Sequence, residues 1–145
     1  MKDIEKEDIE QLMRDLYTYG YFSSKIKLYD VKLQEIQRRI RDCYEVSGIS
    51  YDKPMGTRDS YYSKTTQLIH EEGEVLAEKR NILCKRNALQ IEEKIQVLDS
   101  LEQEILVSIF FHKHTHAYVS NMVGLTREGV TKKIWRSLHK MLKSS

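Results

Sequence analysis

Residues 115–142 read THAYVSNMVGLTREGVTKKIWRSLHKML, and this stretch decides the fold. Thr115 is a candidate N-cap for a short helix, His116 to Val123, with Val119 and Val123 turned inward. Gly124 falls where a tight turn between helices needs a residue tolerant of positive φ. Thr126 is a suitable cap for a second helix, in which Val130, Ile134, Leu138 and Met141 or Leu142 recur every three or four residues. Away from that stripe stand Glu128, Lys132, Trp135, Arg136 and His139, with Arg127 and Thr131 at the margins. Ser120 is small, as befits a place where two helices approach closely. A short positioning helix, a glycine turn and a longer helix with a basic face make a helix-turn-helix. In that design the first turns of the second helix enter the major groove of DNA.

Immediately upstream, Asp99-Ser100-Leu101-Glu102-Gln103 contains two overlapping capping boxes, Asp99 with Glu102 and Ser100 with Gln103. The helix they open has Leu101, Ile105, Leu106, Ile109 and Phe110 on its apolar side, and His112-Lys113-His114 breaks it. His112, His114 and His116 alternate along the chain, but at a turn between helices and with no nearby Cys or carboxylate to complete a set. They are read as surface histidines near DNA, and no metal site is expected. Trp135 stands about 100° from the centre of the apolar face, where it could stack against DNA or another lobe; packing against its own protein is the favoured reading, as for most tryptophans of small domains.

Charge supports the division. Residues 112–145 carry seven Lys or Arg against one acid, a surplus of +6; the other 111 residues hold 17 basic and 21 acidic groups, a balance of −4. A basic terminal module beside a mildly acidic one is the footprint of a nucleic-acid reader joined to something else.

The first 98 residues read as long helices, because Pro occurs once and Gly six times in the whole chain. A helix from Asp3 to Tyr19 is expected to stop at Gly20, and a second to start at Ser23 or Ser24. The second carries Ile26, Tyr29, Leu33, Ile36, Ile40 and Cys43 at heptad spacing. Residues 49–62, ISYDKPMGTRDSYY, read as a loop. A long helix then runs from Ser63 to Leu98 with a stripe of Leu68 or Ile69, Leu76, Leu83, Ile91, Ile95 and Leu98. Two such helices fold most simply into an antiparallel hairpin. The tyrosines 17, 19, 21, 51, 61 and 62 are read as packing between the first helix, the loop and the hairpin. Cys43 and Cys84 have no metal spacing and are read as buried thiols of a reduced compartment. The expectation is an all-α chain with a hairpin lobe at 1–98, serving oligomerisation or polymerase contact, and a helix-turn-helix domain at 99–145.

The stretch from Leu101-Glu102-Gln103-Glu104-Ile105-Leu106 to Leu142 resembles region 4 of bacterial sigma factors over about 45 residues. Within it, Leu125-Thr126-Arg127-Glu128-Gly129-Val130 and Arg136-Ser137-Leu138-His139-Lys140-Met141-Leu142 are similar to that family's recognition-helix signature. The wider layout, with its Tyr51-Asp52-Lys53-Pro54-Met55-Gly56 loop, resembles phage transcriptional activators of the RinA and ArpU kind, which act late on packaging and morphogenesis genes. The resemblance implies Arg127, Glu128, Thr131, Lys132 and Arg136 as DNA contacts, and Lys113, Thr115, Lys133 and Lys140 as backbone contacts. Gly129 stands where sigma factors often carry a longer polar side chain. No aromatic-basic promoter-melting helix is present, so a complete sigma factor is not expected.

The resulting expectation is a sequence-specific regulator that binds double-stranded DNA, contacts RNA polymerase and dimerises through its N-terminal helices. The alternatives are a small terminase subunit and a protein-binding helical module. No Gly-rich phosphate loop, nucleophile elbow or metal tetrad is found, so neither catalysis nor a cofactor is expected. No apolar run approaches 18 residues and the chain opens on charged residues, so neither a membrane span nor a signal peptide is expected, and the compartment expected is the cytoplasm of a bacterial host.

Overall fold

The computed structural model describes the backbone of residues 4–49 and 55–144, and the side chains of residues 4–45 and 63–144. The elements are α1 (Lys6–Ile49), α2 (Met55–Ala88), α3 (Ile91–Ile95), α4 (Ser100–Leu106), a π-helical turn (Val107–Phe111), α5 (His116–Val123) and α6 (Arg127–Lys143). Among the described residues there are no strands, and the chain is all-α as expected. No helix of the described residues is long and apolar enough to cross a membrane.

Three boundaries differ from the sequence reading. First, α1 is a single 44-residue helix, so Gly20 does not end it and neither Ser23 nor Ser24 begins another. The sole described glycine with positive φ is Gly124, and Gly20 stays helical because a neighbouring segment needs its missing side chain. A Cβ built on Gly20 would lie 3.0 Å from both the Phe110 carbonyl oxygen and Phe111 Cα. Second, α2 begins at Met55 rather than Ser63, directly after the chain's one proline in sequence, and from there no residue lacks a backbone N–H. Residues 50–54 of the expected loop, and Tyr51 with them, lie outside the described residues. Third, the long helix breaks after Ala88: Gln90 adopts a left-handed φ of 56°, and α3 restarts at Ile91. The break lets Ile91 and Leu98 enter a core at 1% and 5% exposure.

The chain forms two compact units, and the division is not at residue 98. One unit joins Met1–Ser23 to Lys85–Ser145; the other is Ser24–Cys84. The physical reason is a shared core. Ile9, Leu12 and Leu16 from the start of α1 are buried with Ile105, Leu106, Phe110, Val119, Val130, Leu138 and Met141. Each fully buried Leu or Ile is worth about 1.5–3 kcal/mol, so this first part of α1 is a structural member of the C-terminal domain. Tyr17 meets Phe110 edge-on with ring centroids 4.8 Å apart, and Tyr19 lies 4.9 Å from Phe111. Tyr17 and Tyr19 therefore pack on the π-helical turn, while the side chains of Tyr51, Tyr61 and Tyr62 lie outside the described residues. Tyr19 also donates to Glu92 Oε1 at 2.7 Å, and Arg86 stacks over its ring at 5.3 Å.

In the second unit α1 and α2 run antiparallel, the expected hairpin. Lys79 Nζ meets Asp30 Oδ1 at 2.6 Å, while Cys43 lies beside Gln67, Leu68 and Glu71. Ile26, Tyr29, Leu33 and Ile36 are buried along α1 as the heptad predicts. On α2 the buried residues are Leu68 and Ile82, with Glu72, Val75 and Lys79 half-buried between them. Ile69 is 49% exposed, and Leu76 and Leu83 are only half-buried. Lys79 holds its place in the seam because its stem covers apolar surface while its ammonium reaches Asp30. The cysteines do not face each other; Cys43 is half-buried and Cys84 exposed, which corrects the reading of two buried thiols.

Candidate nucleic-acid interface

α4, α5 and α6 are started by the side chains that the sequence marks as caps. Asp99 Oδ1 accepts from Glu102 N at 2.8 Å and Asp99 N donates back to Glu102 Oε1 at 3.3 Å, closing the capping box. Thr115 Oγ1 accepts from Tyr118 N at 3.1 Å, and Thr126 Oγ1 accepts from Gly129 N at 3.0 Å. These bonds satisfy backbone donors that the first turn of a helix leaves orphaned. Gly129 is crowded from the same side, since a Cβ there would lie 3.2 Å from Thr126 Oγ1.

The turn between α5 and α6 is closed by backbone bonds. Gly124 sits at φ 73° and donates to Ser120 O at 3.0 Å; Leu125 N donates to the same oxygen at 3.2 Å. No atom lies within 4 Å of a Cβ built on Gly124, so conformation rather than space demands glycine. Ser120 Oγ donates to Leu125 O, which ties α5 to the start of α6.

Val130, Ile134, Leu138 and Met141 are at most 6% exposed, as the three-four spacing predicts, and Val119 is fully buried. Val123 is half-buried. On the outward side of α6, Arg127, Glu128, Thr131, Lys132 and Arg136 are all exposed. Thr131 Oγ1 donates to Arg127 O at 3.0 Å and lies 3.3 Å from His116 Nδ1, so its hydroxyl links the two helices.

The four residues expected to touch a DNA backbone are placed unequally. Lys113 is exposed at the end of the π-helical turn, in a left-handed conformation of φ 57°. Thr115 is exposed, with its oxygen engaged as a cap. Lys133 is half-buried, and its carbonyl accepts from Ser137 Oγ at 2.7 Å. Lys140 Nζ is drawn 2.9 Å from Glu102 Oε1, so its charge is already matched within the domain.

The link from Glu102 to Ser137 and Lys140 is what the sequence reading missed. Glu102 is 2% exposed and Ser137 1%. Ser137 Oγ lies 3.1 Å from Glu102 Oε2, its one proton shared between that carboxylate and the Lys133 carbonyl, opposite the ion pair with Lys140. Burial raises the Glu102 pKa, but hydrogen bonds from Lys140, the Asp99 backbone and Ser137 outweigh it and hold the carboxyl at about 2. The carboxylate therefore fixes α6 against the start of α4. Its sequence signal was Ser137, one polar residue set beside Leu138 in the apolar stripe.

Trp135 is 45% exposed, so its ring is partly covered by its own chain and partly open. It lies between the apolar stripe and Lys132, and its ring centroid is 6.0 Å from that of His139. His112 and His114 have ring centroids 5.9 Å apart, and His114 stacks on Tyr118 at 4.3 Å. Among the described residues no group of three His, Cys, Asp or Glu is arranged to hold a metal ion.

The arrangement offers a rigid helix with a basic and aromatic outward face, and the groups that position it are buried beneath. Compared with known proteins, the chain matches no family model, no curated protein and no solved structure.

Proposed function

We propose that α5 and α6 form a helix-turn-helix that docks on duplex DNA, with the first turns of α6 in the major groove, and that the chain regulates transcription. The observation that carries this reading is the outward face of α6: Arg127, Glu128, Lys132 and Arg136 are exposed while the opposite face is sealed by Val130, Ile134, Leu138 and Met141. Basic side chains on such a helix neutralise phosphates, and an exposed Glu or Thr at its start suits base edges. The resemblance to sigma-factor region 4 and to phage late activators extends the reading to recruitment of RNA polymerase at late promoters.

The hairpin of α1 and α2 is proposed as the dimer contact. Leu28 and Val31 support that choice, each 63% exposed and three residues apart on α1.

The test is binding of the purified chain to late-promoter duplexes across a salt series, with mass from light scattering in the same buffers. Binding that weakens steeply with salt, and fails in the Lys132→Ala/Arg136→Ala double variant, is expected. No binding at low salt would remove DNA from the account. A mass far above a dimer would move the chain to the small-terminase class, whose members assemble rings.

A further inference from the structure

We propose that Trp135 is a base-reading residue that lays its indole against thymine 5-methyl groups in the major groove; this rests on the DNA-binding reading above. Trp135 is the chain's single tryptophan and is 45% exposed, beside a core stripe whose Val130, Ile134, Leu138 and Met141 are at most 6% exposed. A half-bare indole beside a sealed core is apolar surface left for something else to cover.

Charge selects the occupant. Trp135 follows Lys132 by three residues, precedes Arg136 by one and precedes His139 by four, so Lys132 and His139 share its side of α6. Both Lys132 and Arg136 are exposed. An apolar protein groove closing over Trp135 would strip water from these cations without matching them, whereas a polyanion matches them as the indole is covered. Trp135 is the ninth residue of α6, about 12 Å along the axis from Arg127, close to the width of the major groove. A helix lying in the groove therefore keeps Trp135, on the same side of α6 as Lys132 and His139, within reach of base edges. There the thymine methyl is the one apolar group on a base edge.

The lone tryptophan is its own reporter. The full chain is titrated at low salt with a dye-labelled duplex of alternating dA and dT, and dye anisotropy is read beside tryptophan emission and acrylamide quenching. The expected result is a shift of emission to the blue and at least a twofold fall in quenching, saturating with the anisotropy. Replacing dT by dU removes the methyl groups and is expected to weaken binding about fivefold and shrink the shift. Trp135→Ala is expected to bind the thymine duplex about tenfold more weakly and to lose the preference for thymine over uracil, with an unchanged melting temperature; Trp135→Phe keeps most of both. An anisotropy rise without change in emission overturns the proposal and leaves DNA binding standing. An undiminished preference in Trp135→Ala overturns it too, as does an emission shift with RNA polymerase but not with DNA. No anisotropy rise at low salt sinks the DNA reading itself.

Discussion

Gly20 stands so close to Phe110 that a Cβ added to it would lie 3.0 Å from the Phe110 carbonyl oxygen. The contact is with backbone, which cannot swing aside as a flexible side chain does. In a free helix, Ala in place of Gly gains about 1 kcal/mol. At Gly20 the clash is expected to reverse that sign, with Gly20→Ala destabilising the fold by roughly 1–3 kcal/mol. Gly73 is the control: it is also helical, and no atom lies within 4 Å of its built Cβ. Gly73→Ala is expected to stabilise by about 0.5–1 kcal/mol in urea denaturation. A Gly20→Ala variant as stable as Gly73→Ala would refute the close packing of α1 on the π-helical turn.

The same glycine marks the limit of the sequence reading. Gly at the end of an apolar stripe signals a helix stop, and nothing local distinguishes it from Gly at a crossing point. That distinction depends on Phe110 and Phe111, some ninety residues away. Thr115, Gly124 and Thr126 were legible because caps and turns are set by neighbours in sequence. On α2 the position opposite Asp30 holds Lys79, so apolar residues alone do not trace the whole seam between Leu68 and Ile82. Glu102 was recognised as a cap, yet its second task, matching Lys140 and Ser137, joins residues 35 and 38 positions apart.

Glu102 also gives the domain an acid-sensitive lock. Its carboxyl is held at about 2 against an ordinary 4.5, so the ionised form is favoured by folding. The stabilisation is complete above about pH 4.5 and is lost as pH falls towards 2; in free energy it is on the order of 3 kcal/mol. Denaturation midpoints from pH 7 to 2 are expected to fall along this limb. Glu102→Gln should be less stable at pH 7 and have a flatter acid limb. Parallel limbs in the two proteins would show that other carboxylates control the acid response.

Lys140 and Lys132 are both exposed lysines of α6, yet different outcomes are expected from removing them. Lys140 is spoken for by Glu102, and the carboxylate in turn raises the Lys140 pKa through their hydrogen bond. Lys140→Ala leaves Glu102 buried beside Ser137 without its cation, so a loss of stability is expected while the salt slope of DNA binding stays the same. Lys132→Ala is expected to leave stability within about 0.5 kcal/mol and to lower the slope by about one. Affinity measured from 50 to 300 mM salt decides it; equal slope changes in both variants would mean that Lys140 leaves Glu102 for phosphate.

Leu28 and Val31 pose the last question, because each is 63% exposed in the single chain. Separately they would be ordinary surface residues. Three positions apart on one helix, they form an apolar strip of the kind that a second helix covers. Their removal from water in a dimer would contribute roughly 1–2 kcal/mol for each side chain. Leu28→Asp and Val31→Asp place unpaired charges in such a contact, and two-fold symmetry repeats each one in the partner. Together the substitutions are expected to raise the dimer dissociation constant at least a hundredfold and to leave monomer helicity unchanged. Sedimentation equilibrium reads the first quantity and far-ultraviolet circular dichroism the second. A wild-type chain that stays monomeric at high concentration would rule out this face as the contact, and so would a double variant that dimerises as well as wild type.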